Sequence, residues 1–208
     1  MNRLICSALF VSISLMTTVA HANPSPTQRS KQLIELTYQV KTTTGAALSD
    51  ADRAANDKLY KQLDTFIDFQ QLTHGPVAPH TKNLSKKQIK TIKTLFQDAI
   101  RTIAYPKTGG FLQKAELTWG SETVTGKKAA VDLTLWVESE DLETDITFHW
   151  SQSPKGWKIT DMSFDGASLV KDYQNQFGKV IAQDGAAALV KKLKTRLTEA
   201  QKKYGKSS

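Results

Sequence analysis

Residues 131–137 read VDLTLWV, and residues 146–150 read ITFHW. Both stretches place an apolar side chain at every second position, which is the spacing of a β-strand that buries one face. Residues 117–119 and 157–161 show the same alternation, and the turn sequence Ser153–Gly156 leaves only a hairpin-length connection before the last of these stretches. The sequence therefore predicts four antiparallel strands in one sheet with one buried face.

The chain before these strands shows apolar side chains at spacings of three and four residues, which are typical of helices. The predicted helices begin at Ser30, Ser49, Asp68 and Ser85. Ser85 and Gln88 form a capping box, in which each side chain bonds an orphan backbone N–H group at the start of the helix. Pro106 and Gly109 are expected to end this fourth helix. Residues 23–29 are expected to be a loose, polar leader.

A further helical pattern begins near Ser168, and Gly185 interrupts it. Helices before and after an antiparallel sheet predict an α+β fold, in which helices pack on the inner face of a curved four-stranded sheet. We find no internal repeat and no linker in the sequence. We therefore predict a single domain at residues 23–208, with residues 29–205 as its ordered part.

The first residues of the chain have the features of a cleavable secretory signal. Arg3 supplies positive charge, residues 4–16 are mostly apolar, and residues 20–22 (AHA) supply the small residues of a cleavage site. The apolar run is shorter than the roughly 20 residues that cross a bilayer, which argues against a membrane anchor. Cys6 lies near the start of that run rather than after it, which argues against a lipidated cysteine. We therefore expect residues 1–22 to be a signal peptide that is removed on export.

Composition narrows the chemistry that the exported chain can perform. Cys6 is the only cysteine, so its loss with the signal excludes disulfides, thiol nucleophiles and thiolate metal sites. The chain carries a formal net charge of +8, which in a cytosolic protein would favour nucleic acid as a partner. An exported protein meets anionic membrane surfaces and acidic protein patches instead. We therefore expect no nucleic-acid partner.

Motifs for catalysis and metal binding are weak in this sequence. His74, His80 and His149 do not fall into an H-x-H or H-E-x-x-H spacing, so no metal site is predicted, and His149 is expected to be exposed. Residues 166–170 (GASLV) resemble a G-x-S-x-G nucleophile elbow but lack its last glycine. Asp161 is a candidate general base without a partner at a useful spacing. We therefore predict no catalytic residue and no cofactor, while an enzyme for a small apolar substrate stays open as an alternative.

Several sequence segments follow one another in an order found in a known family. They are Phe66–Phe69 (FIDF), Leu84–Gln88 (LSKKQ), Trp157–Asp161 (WKITD), Gly166–Val170 (GASLV), Tyr173–Phe177 (YQNQF), and Gly185 with Leu189. In these segments the chain resembles the MlaC family of periplasmic phospholipid-binding proteins, which are also called toluene-tolerance auxiliary proteins. It departs from the family in the segment His74–His80 and at Gln174, where many members have arginine.

The resemblance implies a fold related to the nuclear-transport-factor type, with a curved sheet and helices that enclose an apolar cavity. It implies a periplasmic carrier that shuttles bound phospholipid as cargo and maintains the lipid asymmetry of the outer membrane. The implied partners are an inner-membrane ABC transporter complex with a periplasmic lipid-binding subunit and an outer-membrane lipoprotein–porin complex. A carrier of hopanoids or another lipid, and a basic adaptor that only docks between envelope proteins, remain as alternatives.

If the resemblance holds, the inward side chains of the strands and of the following helix are the candidates to contact lipid. They are Leu117, Trp119, Val131, Leu133, Leu135, Ile146, Phe148, Ile159, Leu169, Tyr173 and Phe177. The same residues would also form an ordinary packed core, because a core and a cavity both require apolar side chains that face inward. The pattern of residues alone therefore leaves both interpretations open.

Overall fold

The computed structural model of the chain describes residues 23–42 and 48–204. The predicted signal peptide at residues 1–22 lies outside this part of the chain, as do residues 43–47 and 205–208. Within the described ranges, no helix combines the length and the hydropathy needed to span a membrane.

Within the described residues, helices precede and follow a single sheet. The helices before the sheet are α1 (Pro26–Tyr38), α2 (Asp50–Leu63), α3 (Phe69–His74), α4 (Lys86–Ala99) and α5 (Tyr105–Leu112). The strands are β1 (Glu116–Thr125), β2 (Lys128–Val137), β3 (Leu142–Ser153), β4 (Gly156–Phe164) and β5 (Ala167–Ser168), and α6 (Leu169–Tyr204) follows them. The predicted α+β class is therefore confirmed.

The sheet is an antiparallel meander in the order β1-β2-β3-β4-β5. The prediction of four strands omitted β5, which pairs with β4 through Ser163 with Ser168 and through Phe164 with Ala167. A tight turn connects these two strands, with Gly166 at a φ of 78°, where glycine has no steric penalty. Two residues are too few to show an alternating pattern, so the sequence carried no periodic signal for β5.

The alternation in β2 and β3 has the predicted effect on burial. Leu133 and Leu135 on β2 and Phe148 and Trp150 on β3 are each no more than 2% exposed, and they pack in one apolar cluster with residues of α1 and α2. The indole Nε1 of Trp150 donates a hydrogen bond of 3.1 Å to Oγ of Ser30 on α1. This bond satisfies two buried polar groups and fixes α1 against the sheet.

The start of α1 differs from the prediction of a loose leader over residues 23–29. The helix begins at Pro26, and Ser25 and Gln28 form a capping box at its N-terminus. Proline is favourable at the first helical position, because its missing N–H group has no partner there in any helix. The sequence contained this signal, and the helix therefore begins four residues earlier than the predicted start at Ser30. The helices predicted to begin at Ser49 and Ser85 are confirmed, since both serines cap the helices that follow them.

The helical path of α4 also extends further than predicted. It continues through a π-helical turn at Ile100–Ala104 into α5, which contains Pro106 and Gly109. Pro106 directly follows the π-helical turn, and the changed hydrogen bonding of that turn accommodates a proline inside a continuing helical path. A Cβ atom on Gly109 would lie 2.9 Å from Cβ of Val40, so this glycine allows α5 to approach the chain that follows α1. Neither residue therefore ends the helical path.

A second apolar cluster joins α4 to α6. Phe96 of α4 packs edge-on against Tyr173 and Phe177 of α6, with ring centroids 4.6 and 5.5 Å apart. Gly185 interrupts α6 as predicted, with a φ of 79° and a ψ of 167°. The first cluster holds the sheet against α1 and α2, and the second holds α4 against α6. An open space remains between the two clusters.

Candidate functional site

The space between the clusters is a cavity of about 470 Å³. Its wall is formed by β2, β3 and β4 on one side and by α1, α5, the π-helical turn and the first turn of α6 on the other. Of the 24 residues that line it, 18 have aliphatic, aromatic or thioether side chains without a hydroxyl or charged group. The volume and the mostly apolar lining are those of small-molecule binding pockets in proteins.

Six of the residues predicted to contact lipid line this cavity. They are Leu135, Ile146, Phe148, Ile159, Leu169 and Tyr173. The structure therefore brings the ends of β2, β3 and β4 together with the start of α6 around one space. Direct contact between these residues and a lipid stays a prediction.

The other five predicted residues lie elsewhere. Val131 and Leu133 are buried in the packed cluster of the sheet, and Phe177 is buried between α4 and α6. Leu117 and Trp119 are only partly buried on β1, the edge strand of the sheet. Alternation shows which face of the sheet a residue occupies, but it does not show which part of that face borders the cavity. The sequence could therefore not separate these five residues from the six that line the cavity.

Much of the helical side of the cavity was missed by the sequence prediction. The lining residues outside the predicted set are Leu33, Ile34, Thr37, Leu63, Ile67, Leu72, Phe96, Ile100, Ala104, Tyr105, Lys107, Thr108, Phe111, Leu112, Thr144, Met162, Phe164 and Val170. Thr144, Met162 and Phe164 lie on strands, and the others lie on the helical side. The apolar stripes of α1 and α4 were visible in the sequence, and extending the candidates to those stripes would have found part of this set. The contribution of α5 could not be found, because Pro106 and Gly109 were interpreted as helix breakers.

Two polar groups of the helical wall, the hydroxyl groups of Tyr105 and Thr37, are used within the protein. The hydroxyl of Tyr105 donates a hydrogen bond of 2.9 Å to Oδ1 of Asp64, and Arg101 binds Oδ2 of the same carboxylate at 2.6 Å. Burial raises the pKa of Tyr105, and the charge of Asp64 and the hydrogen bond to it raise that pKa further. Tyr105 is therefore neutral, and its hydroxyl stays bonded to Asp64. Thr37 similarly donates to the carbonyl of Leu33 at 2.7 Å.

An exposed rim marks where the cavity meets solvent. Lys107 and Thr108 on α5 and Phe164 at the end of β4 are all exposed, and all three line the cavity. Phe164 is 38% exposed, whereas lining residues farther along the strands, such as Phe148 and Ile159, are 2% exposed. The cavity therefore has an apolar interior and one open end with a cationic side chain beside it.

An apolar space of this size has an energetic consequence. Cavities in protein cores cost about 24 cal/mol per Å³, so a sealed, empty space of 470 Å³ would cost about 11 kcal/mol. That is as large as the whole free energy of unfolding of a typical domain, which is about 5–15 kcal/mol. Water gains little by entering, because ordered water needs two to four polar partners. The cavity opens to solvent, so about 11 kcal/mol is an upper limit, and an apolar ligand that fills the space lowers whatever part of this cost the protein bears.

The alternative catalytic residues lie outside the cavity. His149 was expected to be exposed, but it is partly buried. Its Nε2 forms a hydrogen bond of 2.7 Å with Oγ of Ser163. Asp161 accepts hydrogen bonds from the backbone N–H groups of Met162 and Val170 and from Oγ of Ser168. Neither His149 nor Asp161 lines the cavity. The Asp161 carboxylate instead stabilises the start of α6, where N–H groups lack helical partners.

The described residues also contain no group of three or more histidine, cysteine or acidic side chains that could hold a metal ion.

A family model described as MlaC protein matches residues 31–195. The chain belongs to the MlaC family. All residues that line the cavity, from Leu33 to Tyr173, lie inside the matched range. The part of the chain that matches the MlaC family therefore contains the whole candidate site.

A solved structure has a similar fold to this MlaC-family chain. It is a phospholipid-binding protein from Ralstonia solanacearum in complex with a phospholipid. The TM-score is 0.61 at 19% sequence identity, and the match covers 83% of this chain and 96% of the other. A search of curated proteins finds no match. At this identity the solved structure supports the shared fold, and the relation to the nuclear-transport-factor type stays a prediction.

Proposed function

We propose that this MlaC-family protein is a periplasmic phospholipid carrier. It takes up one lipid molecule at a time, encloses the acyl chains and moves through water between the two membranes of the cell envelope. The observation that carries the proposal is the apolar cavity of about 470 Å³ that opens to solvent at one end. Membership of the MlaC family and the phospholipid complex of the Ralstonia solanacearum protein support it.

The energetics of a free lipid explain why a carrier needs such a cavity. Each methylene group exposed to water costs about 0.8 kcal/mol, so about thirty methylenes in two acyl chains cost about 24 kcal/mol. Polar contacts to a headgroup cannot offset a cost of this size. The acyl chains must therefore be enclosed, and the side chains of Leu135, Ile146 and Phe148 on the sheet face them in this proposal.

The polar end of the lipid has a different requirement. A headgroup that entered the mostly apolar interior would lose its hydration and find few partners, because Tyr105 and Thr37 already bond other groups of the protein. The headgroup therefore stays at the open end near Lys107, Thr108 and Phe164. In this arrangement the chains enter first, and the lipid leaves by the same route.

The proposed cellular role combines the predicted export of the chain with the role that the MlaC family implies. A signal peptide at residues 1–22 would deliver the protein to the periplasm, where it would carry phospholipid between the outer membrane and an inner-membrane ABC transporter. Its partners there would be an outer-membrane lipoprotein–porin complex and the periplasmic lipid-binding subunit of the transporter. This transfer would maintain the lipid asymmetry of the outer membrane.

A transfer experiment tests the carrier function directly. Donor vesicles with a fluorescent phospholipid and acceptor vesicles are placed on the two sides of a dialysis membrane that passes the protein but not the vesicles. A diffusing carrier delivers fluorescence to the acceptor side. No transfer by the purified mature protein, with vesicles that remain intact, would contradict the proposal and would favour the docking adaptor.

The location is tested separately, in cells of a Gram-negative host. We expect osmotic shock to release the protein with other periplasmic proteins, and N-terminal sequencing to begin at Asn23. A protein that remains in the cytoplasm with Met1 in place would contradict the proposed export.

A further inference from the structure

Lys107 differs from the other residues that line the cavity. It is the one charged residue among the 24. It lies on α5 beside Thr108, and both are exposed, whereas the preceding residues Tyr105 and Pro106 are buried. The cation therefore lies at the open end of the cavity rather than in its interior.

The ammonium group of Lys107 has no protein partner within the described residues. The described salt bridges join other residues, and Lys114, the next lysine along the chain, is 3.7 Å from Oε1 of Glu140. No side-chain hydrogen bond of Lys107 is found in the described part of the chain, whereas Tyr105 and Thr37 have their hydroxyl groups engaged. Lys107 therefore has its three N–H donors available at the cavity mouth.

We propose that Lys107 binds the phosphate group of the lipid and so makes the cavity selective for phosphate-containing lipids. The inference rests on the proposed function, because it requires acyl chains in the cavity. Enclosed chains hold the glycerol and its phosphate near the open end, where Lys107 lies. A lysine ammonium is a common phosphate partner and acts as a compact positive charge on a flexible stem.

The proposal assigns different roles to the two ends of the site. The apolar interior supplies most of the binding free energy and does not distinguish lipids that have the same chains. Lys107 supplies the discrimination between a diacyl lipid with a phosphate and one without it. Because Lys107 is exposed, its contribution is that of an exposed ion pair, and we expect a preference of about fivefold.

A competition experiment isolates this contribution. Delipidated protein is offered an equimolar mixture of phosphatidylglycerol and diacylglycerol with the same two acyl chains, and the bound ratio is measured by native mass spectrometry. The variants are Lys107→Met, which removes the charge, and Lys107→Arg, which retains it. The matched control is Lys90→Met on the exposed surface of α4, since Lys90 does not line the cavity.

Lys107→Met is expected to lower the ratio of phosphatidylglycerol to diacylglycerol about fivefold. Lys107→Arg and Lys90→Met are expected to keep the wild-type ratio. An unchanged ratio in Lys107→Met, or an equal fall in Lys90→Met, would overturn the assignment of Lys107. Wild-type protein that binds neither lipid would instead overturn the proposed function, so the two failures can be distinguished.

Free phosphate has the same chemistry as the headgroup, and a further arm separates them. Excess inorganic phosphate is expected to change the wild-type ratio no more than sodium chloride at equal ionic strength, because phosphate without acyl chains lacks most of the binding free energy. A larger effect of inorganic phosphate would assign Lys107 to free phosphate and would overturn the lipid assignment. Methionine and lysine have similar helix propensities, so α5 should fold in both Lys107 variants.

Discussion

Ala104 lines the cavity from the π-helical turn between α4 and α5, and its replacement by phenylalanine places a ring in the space. The substitution adds about six carbon atoms, and each tail carbon that it displaces loses about 0.8 kcal/mol of burial. Full displacement would cost about 5 kcal/mol in lipid binding. A tail that shifts outward recovers part of this, so we expect affinity to fall by at least about a hundredfold.

The stability of the lipid-free protein should change in the opposite direction. In a packed core, a larger side chain costs about 1–3 kcal/mol of unfolding free energy. In an empty cavity it fills space that otherwise costs about 24 cal/mol per Å³, so Ala104→Phe should leave the stability unchanged or raise it by up to about 2 kcal/mol. Lower lipid affinity together with undiminished stability identifies a cavity.

Two assays and one control variant complete this test. Urea unfolding of delipidated protein gives the stability, and uptake of a fluorescent phospholipid from vesicles gives the affinity. The matched control is Ala129→Phe, because Ala129 is 6% exposed in the packed cluster of the sheet and does not line the cavity. If Ala104→Phe destabilises the protein as much as Ala129→Phe does, and lipid uptake is unchanged, the space around Ala104 is a packed core and the reasoning is refuted.

Three further predictions concern the scaffold around the cavity. Gly109→Ala should lower the free energy of unfolding by about 1–3 kcal/mol, because the new Cβ would lie 2.9 Å from Cβ of Val40. Gly110→Ala should instead raise it by up to about 1 kcal/mol, because the nearest atom to its new Cβ is 3.4 Å away. Equal effects of the two substitutions in urea unfolding would contradict the close approach of α5. Asp161→Asn should cost about 1–2 kcal/mol, because the amide NH2 that replaces Oδ2 cannot accept from Oγ of Ser168 and the charge behind the bond to the N–H group of Val170 is lost. Lipid content should stay at the wild-type level, and a loss of lipid content at unchanged stability would contradict this structural role. Burial raises the pKa of Tyr60 to about 12, whereas tyrosine in an unfolded chain has a pKa of about 10. The neutral phenol of Tyr60 therefore contributes fully to stability below pH 10, and about 2 kcal/mol of this contribution is lost as the pH rises from about 10 to about 12. Tyr60→Phe should lose less stability than the wild type over this range in urea unfolding, and equal losses would contradict the assignment.

The sequence predicted the elements whose local signals agree with their final environment. The alternation in β2 and β3 predicted the buried face of the sheet, and Ser49 and Ser85 marked the starts of α2 and α4. In these segments the hydrophobic period and the capping chemistry favour the same structure that tertiary packing selects. The prediction failed at α5, because Gly109 was interpreted as the end of a helix. In the structure this glycine lies inside a helix, where its missing side chain allows α5 to pack closely against Val40.

The cavity was only partly predictable for a different reason. Leu133 and Leu135 lie on the same strand and the same face, and both are buried, yet only Leu135 lines the cavity. Since both residues share a strand and a face, their difference depends on how the rest of the chain packs over the sheet, which is a property of the whole fold rather than of the local sequence. The family resemblance supplied the expectation of a cavity, and the residue pattern could not.

The lipid content of the purified protein tests the central claim most directly. Mature protein from a Gram-negative host is examined by native mass spectrometry, then denatured and extracted with organic solvent. The account predicts a complex of one protein chain with one phospholipid that has two acyl chains, and release of that lipid on denaturation. Protein that carries no lipid when purified, and that takes up none from phospholipid vesicles, would contradict the account.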